Sequence, residues 1–109
     1  TFIQQTTDLH AAVDGSNIIY TDVWTSMGQE SESKQRIRDL ADYQVNTELM
    51  SRAAVGARFL HCLPARRGEE VAGDVIDSRA SAVIQQAENR LHAQKGLVVW
   101  LLTEANGNH

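Results

Sequence analysis

Apolar residues fall in short runs separated by charged stretches of helical spacing. Ser16 to Thr21, built around Ile18-Ile19-Tyr20, predicts a first strand, and Ala57 to Leu60, set off by Gly56 before it, predicts a second. Between them, Glu30 to Tyr43 carries charges of alternating sign with Ile37, Leu40 and Ala41 at helical spacing, which predicts a solvated helix with one apolar edge. A shorter helix is expected from about Asn46 to Ala53, capped by Asn46, with Leu49 and Met50 facing inward. Upstream, Phe2-Ile3 reads as the end of a strand and Thr7 to Val13 as a capped helix closed by Gly15.

Downstream, Pro64 and Gly68 mark an irregular loop, and Val71 to Ile76 is expected to form one helical turn. Ser81 to Gln85 predicts another short strand. It leads into the longest helix, Ala87 to Leu102, with Leu91, Lys95, Val98 and Leu102 on related faces. A polar tail, Ala105 to His109, is expected to be disordered. Strands alternating with helices predict an α/β fold, a partial three-layer parallel sheet of three or four strands with flanking helices and right-handed crossovers.

At 109 residues the chain makes one domain at most, and such a domain buries only about two thirds of its unfolded surface. Its composition, 42% hydrophobic and 22% charged, is that of an ordinary α/β protein. The net charge of -4, with no basic stripe interleaved with aromatics, argues against a nucleic-acid partner. The longest apolar run, Leu97 to Leu102, is far short of the ~20 residues needed to span a bilayer. One cysteine excludes an internal disulfide and fits a reducing compartment, from which a cytoplasmic location is expected. His10, His61, His92 and His109 show neither HExxH nor a CxxC partner, so no metal is expected, and no GxGxxG or GxxxxGK[ST] loop opens a helix. The first residues include no initiator Met and no signal-like segment, from which a start inside a longer protein is expected.

Two places carry candidate chemistry. The first strand runs into Asp22-Val23-Trp24-Thr25-Ser26-Met27-Gly28 and the second into His61-Cys62-Leu63-Pro64. Open α/β sheets put their ligands at the carboxyl ends of strands, so both segments are placed to meet one small molecule. Taken singly, each has an ordinary reading as well. Asp22 and Ser26 fit a turn cap, Cys62 a small buried hydrophobe, and Arg90 a surface ion pair. His61 fits a loop-orienting buried residue better than a base, Trp24 fits packing, and Arg66 and Arg67 fit solvated surface.

The three words Asp22-Val-Trp-Thr-Ser-Met-Gly, His61-Cys-Leu-Pro and Ala87-Glu-Asn-Arg-Leu-His-Ala-Gln-Lys95, in that order and at those intervals, resemble the carboxyl-terminal part of the ornithine carbamoyltransferases. The likeness runs from about Asp8 to Leu102. It implies transfer of a carbamoyl group from carbamoyl phosphate to the side-chain amine of ornithine, giving citrulline and phosphate in arginine metabolism, without metal or organic cofactor. It further implies a Rossmann-like half of a two-domain, trimeric enzyme. Residues 1–102 would be a partial ornithine-binding domain including the final crossover helix, and residues 103–109 a tail.

By the same resemblance, Asp22, Ser26 and Met27 grip the amino acid, Cys62 and the backbone of Leu63 lie against the carbamoyl group and the attacking amine, and Arg90 reaches carbamoyl phosphate. Asp22 and Cys62 are then the candidates for holding the amine and handling its proton. The family's Ser-Thr-x-Thr and His-Pro-x-Gln motifs, which belong to a first domain, occur nowhere in these residues. The expectation is therefore a fragment that lacks its amino-terminal partner domain and is inactive by itself. Its bare apolar segment, Leu97 to Leu102, should favour self-association. A different acceptor amine, such as putrescine or an acylated ornithine, and a non-catalytic amino-acid-binding module are the alternative readings.

Overall fold

The computed structural model describes all residues except Thr1, Met27, Gln29, Asn106, Asn108 and His109, with the backbone alone for Glu30 and Ala105. The chain runs α1 (Leu9–Val13), β1 (Ile18–Thr21), α2 (Glu30–Leu40), a 3-10 turn (Ala41–Tyr43), α3 (Thr47–Arg52), β2 (Arg58–His61), α4 (Gly73–Ile76) and α5 (Val83–Ala105). The class is α/β, with a parallel sheet and flanking helices.

Strands β1 and β2 pair in parallel, with Ile18 opposite Arg58 and Thr21 opposite His61. Alternation then sends Ile19 and Phe59 into the core while Ile18 and Tyr20 face out. Val13, Val45, Leu49, Val71, Val75, Ile76 and Val83 pack around them. Asp8 and Asn46 cap α1 and α3 by accepting from the Ala11 and Leu49 amides. Each such cap is worth about 1 kcal/mol. Gly15 closes α1 with φ 69°, a left-handed conformation that only glycine takes freely.

Three expectations need correction. Among the described residues the sheet has two strands, not three or four, because Ser81 contributes a single parallel bridge to Phe59. The Ala82 amide donates to the Phe59 carbonyl, but its own carbonyl accepts the Gln86 amide. Helix α5 has therefore begun at Val83, where a strand through Gln85 was expected. Phe2 and Ile3 lie exposed outside any strand.

Helix α5 also runs on to Ala105, past the expected end at Leu102 and into the expected tail, and its apolar segment Leu97 to Leu102 is bare as expected. Val83 and Gln86 pack in the first turn, while every residue from Ala87 to Glu104 is exposed. Its 23 residues extend roughly 35 Å at 1.5 Å per residue. The radius of gyration, 17.5 Å, accordingly exceeds the roughly 13 Å of a compact chain of this length. No helix among the described residues is long and apolar enough to cross a membrane.

Candidate functional site

Because Thr21 lies opposite His61, the next residues on the two strands, Asp22 and Cys62, emerge side by side at the carboxyl edge of the sheet. The Cys62 thiol donates to Asp22 Oδ1 at 3.1 Å, and the Val23 amide donates to the same oxygen at 2.7 Å. Both bonds favour the charged carboxylate. The Asp22 pKa is lowered, first by the thiol and then by the Val23 amide. The Cys62 pKa is raised, mainly because its proton is held by Asp22, and a Tyr20 hydroxyl contact offsets part of that rise. Near neutrality the pair is a carboxylate and an unionised thiol, both open to water. That combination accepts a cation.

Beneath this exposed pair lies a buried one. His61 Nε2 stands 2.9 Å from Glu70 Oε1, with both side chains fully enclosed. The Leu63 amide donates to His61 Nδ1 at 2.8 Å, so Nδ1 is an acceptor and the proton sits on Nε2, which donates to Glu70. The ring is thereby assigned as neutral, from the bonding network. Glu70 Oε1 also accepts the Arg66 amide at 2.7 Å.

This network holds Leu63 at φ 59°, a left-handed conformation that costs a bulky residue of order 1–3 kcal/mol. The Leu63-Pro64 peptide is cis. Strand β2 ends at His61, which leaves the Cys62 thiol at the sheet edge beside Asp22.

The other expected residues are placed less closely. Ser26 is exposed on the segment that follows β1, and Met27 lies outside the described residues. Gly28, at φ 90°, takes the turn into α2 in a conformation a side chain would strain. Arg90, on α5, lines a hollow of about 450 Å³ with Leu60, Gln86 and Asn89, within the size range of small-ligand clefts. Among the described residues no hydrogen bond or ion pair joins Arg90 to Asp22 or Cys62. The residues set aside as surface behave so, with Arg67 paired to exposed Asp77 at 2.7 Å. Trp24 is half-buried, its carbonyl accepting from Arg36.

Two residues of this neighbourhood carried no signal in the sequence. Glu70 sits in the charged run Arg66-Arg67-Gly68-Glu69-Glu70, which reads as solvated loop, yet it is completely buried. Gln86 bonds both strands, accepting from the His61 amide at 3.0 Å and donating to the Tyr20 hydroxyl at 3.0 Å.

Ligand atoms of Asp22, His61 and Cys62 lie within 4.8 Å of one another, close enough to suggest a metal centre. Both His61 ring nitrogens are already engaged, by Glu70 and by the Leu63 amide. That leaves two ligands where zinc takes at least three from the protein. A larger hollow, about 570 Å³, lies by the amino end of β2 near Thr47, Val55 and Arg79, away from the strand ends where α/β sheets bind ligands.

Known proteins resemble the chain over most of its length. The ornithine carbamoyltransferase of Nitrosococcus oceani is 63% identical over 91 residues, covering 84% of this chain and 30% of the relative. That of Oceanobacillus iheyensis is 54% identical over 102 residues, covering 94% and 32%. The solved ornithine carbamoyltransferase of Pyrococcus furiosus superposes with a TM-score of 0.77 at 54% identity, covering 84% of this chain and 29% of that one. The chain thus spans about a third of the length of its relatives. The family described as "Aspartate/ornithine carbamoyltransferase, Asp/Orn binding domain" matches residues 1–101, and the chain belongs to that family.

Proposed function

We propose that this chain is the carboxyl-terminal, ornithine-holding part of an ornithine carbamoyltransferase. The whole enzyme would transfer the carbamoyl group of carbamoyl phosphate to the side-chain amine of ornithine, giving citrulline and phosphate. The observation that carries this reading is the contact between Asp22 and Cys62 at adjacent strand ends, in a chain of this family.

In this reading Asp22, held as a carboxylate, pairs with an ammonium group of ornithine, while Ser26 and the amides around Met27 and Gly28 receive its α-carboxylate. The attacking nitrogen must shed a proton, since its free pKa lies near that of lysine. Cys62, an unionised thiol near neutrality, orients that nitrogen, whose first proton passes to water before the attack and whose second goes to the departing phosphate. As the new C–N bond forms, the carbamoyl C–O bond breaks and phosphate departs with the electron pair. Leu63 and Arg90 border the carbamoyl phosphate, whose main grip we place in the two thirds of the relatives' length that this chain does not span. Residues 1–102 would be part of one domain, completed by an amino-terminal domain in a cytoplasmic trimer.

Calorimetry with L-ornithine tests the reading. The chain should bind it, with affinity lower by at least about tenfold in Asp22→Ala, the loss of one charge-assisted bond. Carbamoyl phosphate alone should give little heat. Equal ornithine binding by wild type and Asp22→Ala, or none by either, would contradict the proposal. Putrescine binding as tight as ornithine would move the assignment to another acceptor.

A further inference from the structure

We propose that Gln86 is a positioning residue, clamping the ends of β1 and β2 so that Asp22 and Cys62 meet. The inference rests on the carbamoyl-transfer reading only for the use to which the pair is put.

The argument is geometric. The first turn of α5 brings one carboxamide against both strands, taking the His61 amide on its oxygen and giving a proton to the Tyr20 hydroxyl from its nitrogen. Tyr20 is two residues before Asp22 and His61 is immediately before Cys62. The two bonds therefore span the sheet within two residue steps of the pair they align. Backbone pairing alone ends at Thr21 and His61, and beyond it the Cys62–Asp22 contact is the bond that ties the ends together. A thiol-to-carboxylate bond open to water is a weak tie. A carboxamide satisfied on both ends is a firmer one, because each bond restricts the torsions of the other.

Only the first turn of α5 is packed, so Gln86 also links the helix to the site. Tyr20 on β1 and Asp22 just beyond it are the titratable groups acting on Cys62, with His61 beside it on β2, and α5 presents the uncharged Gln86 there.

Cys62 is the single cysteine, so its alkylation by iodoacetamide can be followed by mass without ambiguity. The pH profile of that reaction, measured on the 109-residue chain without substrate, reads the Asp22–Cys62 contact directly. In Gln86→Leu the contact should loosen, and at a fixed pH near 8 alkylation should rise by about threefold or more toward that of an ordinary thiol. In Gln86→Glu the carboxylate still accepts from His61 and Tyr20 can turn its proton toward it. That variant should alkylate no faster than wild type.

Superimposable profiles for wild type and a folded Gln86→Leu, or the same acceleration in both variants, would overturn the proposal. Should Gln86→Leu fail to fold, hydrogen exchange of the His61 amide in the wild type decides, with protection expected and exchange at the rate of an open chain overturning it. Ornithine calorimetry on the same proteins separates the two claims. A shifted profile in a chain that never binds ornithine would leave the clamp standing and remove its proposed use.

Discussion

The carboxyl ends of the two strands and the outer three-quarters of α5 make opposite use of their residues. At the strand ends Glu70, His61, Leu63, Arg66, Gln86, Tyr20, Cys62 and Asp22 are tied together by six hydrogen bonds that involve side chains. On α5 the six consecutive apolar residues Leu97 to Leu102 are each more than half exposed. At 100° per residue they cover the whole circumference, the pattern of a helix enclosed by other protein rather than one lying on a surface. One region is bonded within itself except at the buried Glu70 Oε2, and the other exposes its apolar residues all round. Sensitivity to substitution should follow this division.

The largest effect should come from Glu70→Ala. It removes the acceptor of the buried His61 Nε2–H and the Arg66 amide and leaves a cavity, at a cost of about 2–4 kcal/mol. For a domain this small that is a large share of the total, and it should appear as a lower urea midpoint. A midpoint within error of wild type would show that the buried pair does not hold the β2 turn.

Asp22→Asn should act on chemistry more than on stability. The change in stability should stay under about 1 kcal/mol, because both members of the exposed pair face water. Folding lowers the Asp22 pKa, so its contribution is present above the ordinary carboxylate value and is lost as pH falls through the folded value. Folding raises the Cys62 pKa, so its contribution is complete below the ordinary thiol value and is lost as pH rises through the folded one. The stability gap between wild type and Asp22→Asn should therefore be widest between those limits and narrow beyond each, as read by denaturation at several pH values. A gap independent of pH would contradict the assignment of both shifts.

The smallest effect on stability should come from α5. Leu101→Lys should shift the unfolding free energy by no more than about 0.5 kcal/mol, since the side chain has no packing to lose. It should instead reduce the concentration-dependent association expected of the wild type in sedimentation. A wild-type chain that sediments as a monomer at high concentration would remove the association part of the comparison.

Much of this was legible in the sequence where local chemistry decides structure. Asn46 before Thr47-Glu48-Leu49 announced its cap, the β-branched Ile18-Ile19 announced β1, and the charged Glu30 to Tyr43 announced a solvated helix, whose last three residues form the 3-10 turn. The juxtaposition of Asp22 and Cys62 followed once both were placed at parallel strand ends. What failed were decisions made by distant partners. Val83-Ile84 looks like strand, but one bridge at Ser81 exhausts the pairing and α5 begins at once. Glu70 looks solvated, and its burial depends on a histidine nine residues away and on the Arg66 amide folding back over it. Gln86 has two strands as partners, 25 and 66 residues distant. No periodicity encodes such contacts.

The central claim is that Asp22 and Cys62 form one side of an ornithine site. Titration of isotopically labelled chain with L-ornithine, followed by NMR, tests it directly. The account predicts saturable shifts concentrated at Asp22, Val23, Cys62 and Leu63, abolished in Asp22→Asn. Shifts confined to the hollow at the amino end of β2, or none at these four residues at saturating ornithine, would contradict it.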